Sequence, residues 1–380
     1  MDPKISNLVT DDNYLKFTLS GVNVSIANAL RRIILSEIPT IVFRTSPYEE
    51  NLVDFQLNTT RMNNELIKQR LSCVPIHITD TGFEHKDYLV EADLQNDTDA
   101  IMYLTTGDFK IKNTQNDKYL TDGEVKKIFP PDSISKDFIE LVRLRPKISD
   151  VIPGEHIKFS AQLDIGMAKQ DSAFNVASTC SYGASIDPIK INEVWTNKNK
   201  ELKASGETKD SIASIKKDWD LLDAKRIILD DSFDFTIESV GPFTNYMIVH
   251  KAADVMIGKL KKFSDDIQSN ESMIKESSST IQHCYDIVLE NEDHTLGKVL
   301  EYILYTKYYQ IDKANTEEQT STNNLTYCGF SKPHPHINQS IVRIAFINNK
   351  EKIDLVTLLV NVADIATIIY KTIGDEFKTE

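Results

Sequence analysis

From Leu15 to Leu19 the apolar residues Leu15, Phe17 and Leu19 alternate with polar ones, the period of a strand with one buried face. Ser20-Gly21 breaks that pattern, and beyond it Ile26, Leu30, Ile33 and Ile34 recur at helical spacing on one side. The same order returns at Tyr285, Ile287 and Leu289, then the turn Glu290-Asn291, then the helical stripe Leu296, Leu300, Ile303 and Leu304. Leu15 falls on Tyr285 and Ile33 on Ile303, a constant offset of 270 residues, so the chain carries two copies of one strand, turn and helix unit. Ser25 and Thr295, at equivalent positions, are the expected N-caps. Two such stripes can bury each other.

A second echo closes each copy. Ala253, Asp254, Val255, Lys261, Phe263 and Asp265 match Ala363, Asp364, Ile365, Lys371, Ile373 and Asp375 at an offset of 110. Long helices are predicted there, with stripes through Ile248, Ala252, Val255 and Phe263 and through Leu355, Leu359, Val362, Ile369 and Ile373. Asn361, Asp364 and Lys371 interrupt the second stripe well short of the roughly 20 apolar residues of a bilayer span, so it is expected to pack against protein and not to enter a membrane.

The stretch from about Ser46 to Leu229 has no counterpart in the second copy and reads as an insertion. Ile157, Phe159, Ala161, Leu163 and Ile165 alternate as a strand within it, whereas Lys198 to Lys217, charged and interrupted by glycine, reads as an exposed loop. Phe233, Phe235 and Ile237 restore strand alternation, and Gly241-Pro242 turns the chain into the first closing helix. Ser264 to Thr280, rich in Ser, Asp and Glu, reads as a tether. The pattern predicts an α+β fold: a first unit over 1–45 and 230–268, an inserted β-rich domain over 46–229, a tether over 269–280, and a second unit over 281–380.

Bulk composition narrows the chemistry. At 380 residues, with 41% apolar and 26% charged, there is material for two or three globular domains of about 150 residues each. A net charge of −14 argues against a direct grip on phosphate backbones, so DNA or RNA is expected only through a partner. Cys73, Cys180, Cys284 and Cys328 form no Cys-x-x-Cys pair, which suits reduced thiols and neither a disulfide framework nor a zinc ribbon. The polar start lacks the apolar core of a signal peptide, so an intracellular protein is expected and the sequons at Asn23, Asn58 and Asn338 are accidental. Asp293-His294 invites an acid–base reading, but no nucleophile or third member accompanies it, and entry to a helix is the favoured role. His334-Pro335-His336 is expected to shape a turn into an Ile341–Phe346 strand. No cofactor or metal is expected, and neither a glycine-rich phosphate loop nor an acidic magnesium triad is present in the sequence.

The run Ser25-Ile26-Ala27-Asn28-Ala29-Leu30-Arg31-Arg32-Ile33-Ile34-Leu35-Ser36-Glu37-Ile38-Pro39-Thr40 closely resembles the signature of the alpha-like assembly subunits of multisubunit RNA polymerases: bacterial alpha, archaeal D and the third-largest eukaryotic subunit. Asn64 to Ile76, Leu141 to Arg145 and Phe235 to Gly241 follow in the family's order. Glu292-Asp293-His294-Thr295-Leu296-Gly297, with Lys332-Pro333-His334-Pro335, is similar to the small partner, archaeal L or the eleventh eukaryotic subunit. The resemblance implies an intramolecular pseudo-dimer of two alpha-like dimerisation units, a fusion associated with the polymerases of large DNA viruses that transcribe in the host cytoplasm, with packaging in the virion a further expectation. It implies a non-catalytic scaffold of DNA-directed RNA polymerase, with the largest and second-largest subunits and small polymerase subunits as partners. It also implies that Asn28, Arg31 and Arg32 contact the second-largest subunit, while Ile26, Leu30, Ile33, Ile34, Leu296, Leu300, Ile303, Leu304, Val362 and Ile369 form the internal pairing seam. The larger family member often carries a cysteine cluster that this insertion lacks, and bacterial alpha has a further DNA-reading domain that is not expected here. An enzyme using Asp293 and His294, and a free-standing dimerising regulator, are the alternatives.

Overall fold

A computed structural model describes residues 2–11, 13–80, 82–149, 151–309 and 325–378; the expected end of the last domain at Glu380 lies outside them. In chain order come β1 (Lys4–Asp11), β2 (Tyr14–Ser20), α1 (Val24–Ser36), β3 (Thr40–Phe43), β4 (Val53–Asn58) and α2 (Asn64–Ser72). Next are β5 (Tyr88–Gln95), β6 (Met102–Thr105), β7 (Lys110–Asn113), β8 (Lys118–Tyr119), α3 (Asp122–Ile128), β9 (Glu140–Leu144) and β10 (His156–Gly166). They are followed by β11 (Ala177–Ile186), α4 (Pro188–Ala204), α5 (Lys209–Leu221), β12 (Ile228–Ser239) and α6 (Asn245–Ser269). The chain closes with β13 (Ile274–Glu276), β14 (Cys284–Glu290), α7 (His294–Leu304), β15 (Leu325–Ser331), β16 (Gln339–Phe346) and α8 (Lys352–Asp375).

These elements form two compact units, one from Met1–Ile33, Thr179–Glu238 and Val249–Glu380, the other from Ile34–Ser178 and Ser239–Ile248. The first holds two four-stranded sheets of matching order, β1-β2-β12-β11 and β13-β14-β16-β15. In each, the strand before the repeated helix pairs antiparallel with the strand leading to the closing helix, Phe17 opposite Phe235 in one and Ile287 opposite Val342 in the other. Apolar residues line one side of these strands, and Phe17 stacks on Phe235 with ring centroids 5.1 Å apart. α8 is long and apolar enough by composition to cross a membrane. Its apolarity has another explanation, since Leu355, Leu359, Val362, Ala366, Ile369 and Ile373 are all buried within the protein.

The second unit is built on the sheet β3-β10-β5-β7-β8, in which β4 also pairs with β10, beside the two-stranded sheet β6-β9. β10 pairs with β5 along one edge and with β4 and then β3 along the other. Its core includes Phe43, Phe109, Phe129 and Phe159, and the nearest of these rings, Phe109 and Phe129, meet edge to face at 5.1 Å.

Three expectations change. The inserted domain is shorter than the expected 46–229: the compact unit that holds it takes Ile34–Ser178 with Ser239–Ile248, and β11 joins the sheet of β1, β2 and β12 instead. Lys198 to Lys217 is not a loop but the larger part of a helical hairpin, α4–α5. Asp187 accepts from the backbone N–H groups of Ile189 and Lys190, Thr208 caps α5, and Gly206, at φ +84°, makes the turn between them. Trp195 and Trp219 face each other at 6.0 Å, while Lys198 covers Trp219 and Lys216 covers Trp195, each at 4.7 Å. Two of the lysines that suggested a loop, Lys198 and Lys216, thus hold their ammonium groups over indoles. The supposed tether is also ordered: Phe263 and Ile267 continue the buried stripe of α6 to its end at Ser269, and β13 pairs with β14, placing Ile274 opposite Ile287. Polar composition concealed one apolar residue per turn, which is enough to hold an amphipathic helix on a core.

Candidate functional site

The caps of the repeated helices lie two residues earlier than expected, at Asn23 and Asp293. The Asn23 side chain accepts from the Ser25 backbone N–H at 2.9 Å, and Asp293 accepts from that of Thr295 at 2.8 Å. Asn23 and Asp293 are themselves 270 apart, so the correction preserves the repeat, and the carboxylate of Asp293 also complements the positive end of α7. All ten residues expected in the seam are buried, none more than 3% exposed.

The two arginines have separate fates. Arg31 directs Nε and Nη2 to Asn28 Oδ1 at 3.1 and 2.9 Å, an i to i+3 contact that holds its fork along the helix. Arg32 reaches across to the second copy: Nε donates to Thr295 Oγ1 at 2.9 Å and Nη2 to Asp293 Oδ2 at 2.7 Å. Adjacent residues point about 100° apart on a helix, so one arginine can follow the seam while the other does not. Within the chain, then, Arg32 reaches the second copy and Arg31 stays on its own helix.

Further contacts cross between the copies. Lys259 of α6 meets Glu292 before α7 at 2.7 Å, both side chains largely covered at 15% and 20% exposure. The Tyr370 hydroxyl of α8 donates to the Ile26 carbonyl at 3.1 Å, and complete burial raises its pKa far above the usual phenol range. Phe377, just past α8, packs on Phe17 at 4.8 Å. α6 and α8 approach closely at Gly374, where an added Cβ would lie 3.0 Å from Ala253 Cβ, and His250 Nδ1 sits 3.0 Å from the Gly374 carbonyl. Sequence reasoning missed Lys259, Glu292 and Tyr370. Lys259 left one signal, a cation at the position where the repeat has Ile369; Tyr370 left none.

On the second copy Glu301, equivalent to Arg31, is not an open face. Its carboxylate accepts from the Phe330 backbone N–H at 3.1 Å and from Lys298 Nζ at 2.5 Å. His294 lies against the Phe330 ring at 4.9 Å. Asp293 acts as helix cap and as acceptor for Arg32, so an acid–base role would have to displace two structural ones. Burial pushes the thiols of Cys180 and Cys328 up to about 12, while Cys73 is exposed. His334 and His336 face each other at 5.1 Å, and among the described residues no three His, Cys, Asp or Glu side chains gather as metal ligands would.

Two sheets of matching strand order thus lie in one compact unit, joined by contacts such as Arg32–Asp293 and Lys259–Glu292. The chain belongs to the family described as the RNA polymerase Rpb3/Rpb11 dimerisation domain, which matches residues 16–260. Among its relatives, subunit Rpo3 of DNA-directed RNA polymerase from Pyrococcus furiosus is 26% identical over 285 residues, covering 70% of this chain and 97% of the relative. Subunit 3 of DNA-directed RNA polymerases II, IV and V from Arabidopsis thaliana is 26% identical, covering 70% and 92%, and bovine RPAC1 of polymerases I and III is 24% identical, covering 68% and 83%.

Proposed function

We propose that the chain is the non-catalytic alpha-like assembly subunit of a DNA-directed RNA polymerase, in which both halves of the usual dimer are joined in one polypeptide. The observation that carries this reading is the set of polar contacts from the first copy to the second, Arg32 to Asp293 and Thr295 and Lys259 to Glu292. Matching strand orders in the two sheets support it further. In this reading 1–33, 179–238 and 249–268 form the first dimerisation unit, 34–178 the inserted domain, and 274–378 the second unit.

The two large catalytic subunits are its partners, together with small polymerase subunits, and nucleic acid reaches it only through them. Asn28 and Arg31 are the proposed contact to the second-largest subunit, because a guanidinium held on a rigid helix suits interface ion pairs. Nucleotide addition belongs to the large chains. We assign the joined arrangement to a viral polymerase working in the host cytoplasm, and its presence in virions is part of that proposal. A tagged chain expressed with its source genome's proteins should recover two very large polypeptides in equal amounts by mass spectrometry. Elution of the chain alone would overturn the assignment in favour of a free-standing regulator.

A further inference from the structure

Resting on the reading of two paired copies, we infer that polar contacts on one side of the pseudo-twofold make the pairing directional: each half accepts the other and rejects a second copy of itself. In a true twofold dimer each contact occurs twice with the same chemistry. Here each has a mate at equivalent positions, found by the offsets of 270 and 110, and the chemistry differs. Lys259–Glu292 is matched by Ile369 and Val22, both buried and apolar. Arg32–Asp293 is matched by Tyr302 and Asn23. Tyr370 on Ile26 is matched by Leu260 and Leu296, and Phe377 on Phe17 by Ile267 and Ile287.

The consequence lies in what the wrong pairings would bury. Two second halves would set Glu292 against Ile369 twice and Asp293 against Tyr302 twice, carboxylates without their cations. Two first halves would set Lys259 against Val22 twice. A largely covered charge without its partner is unfavourable, most of all at Lys259 and Glu292, whereas the aromatic and aliphatic mates discriminate little. Pairing between like halves can occur only between chains, so the two ion pairs disfavour that route to self-association and leave closure within one chain.

The test uses the full chain. Glu292→Lys and Lys259→Glu should each lower the melting midpoint by several degrees, and the doubly reversed protein should recover most of the loss. Unchanged midpoints for both single variants would overturn the paired-copy reading itself. A second protein makes the two sides alike through Lys259→Ile, Glu292→Val, Arg32→Tyr and Asp293→Asn; Lys259→Ile with Glu292→Val alone serves if that one fails to fold. Each protein is refolded from denaturant over a wide concentration range and its mass read by light scattering. The parent should stay monomeric, while the equalised variant stays folded and forms dimers and larger species whose share rises with concentration. An equalised variant that folds and remains monomeric throughout, or a parent that itself associates, overturns the directional inference while leaving the pairing intact.

Discussion

Two helical glycines should respond to the same substitution with opposite signs. Gly258 lies in the middle of α6, exposed, and a Cβ added there meets nothing within 4 Å. Gly258→Ala should therefore show the bare helix-propensity gain of about 0.8–1 kcal/mol. Gly297 lies in α7 against Phe330, and its Cβ would sit 2.0 and 2.2 Å from two ring carbons. Ordinary carbon–carbon contact is about 3.5–4 Å, so the ring must retreat by roughly 1.5 Å. Phe330 is not free to do so cheaply: Glu301 holds its backbone N–H, His294 packs on its ring, and Lys298 lies 5.7 Å from its centroid. Overpacking of this kind costs about 1–3 kcal/mol, which exceeds the propensity gain. Gly297→Ala should thus be net destabilising by about 1–2 kcal/mol, a fall of several degrees, while Gly258→Ala rises by about 2–4 °C. Differential scanning calorimetry of both beside the parent decides the matter. A Gly297→Ala protein that melts above the parent would mean that α7 does not rest on Phe330, and the packing of the second sheet would have to be redrawn.

Leu300→Ala should cost about 2–5 kcal/mol in urea unfolding because Leu300 is 1% exposed, and Glu301→Ala, which strips the Phe330 N–H of its acceptor, should cost about 1–2 kcal/mol; equal midpoints for parent and Leu300→Ala would remove the seam. Arg32→Ala should lower the melting midpoint, whereas Arg31→Ala should leave it near the parent's and instead reduce recovery of the second-largest subunit in a pull-down; the reverse pattern would interchange their roles. In the native protein at pH 8 a maleimide should label Cys73 first, since thiols raised to about 12 at Cys180 and Cys328 are only about 10⁻⁴ thiolate; rapid loss of either in peptide mapping would contradict those raised values.

Local rules written in the sequence determined the repeat: alternation at Leu15, Phe17 and Leu19, helical stripes at Leu30 and Leu300, and closing helices through Ala253 and Ala363 follow from periods of 2 and 3.6 residues that need no knowledge of distant partners. The same rules misjudged Lys198 to Lys217 and Ser264 to Thr280, where lysine and serine mask a narrow apolar face and the deciding energy comes from what that face meets: an opposing indole at Trp195 or the core beneath Ile267. Local helix caps were off by two residues because Ser25, Asn23, Thr295 and Asp293 are all competent caps, and only the backbone path chooses among them. Most of all, tertiary structure alone decided the partner of each charge. Arg31 and Arg32 are indistinguishable in composition and neighbours in sequence. One turns to Asn28 and the other to Asp293, 261 residues away, because a step of about 100° around the helix sets one toward the seam and the other aside.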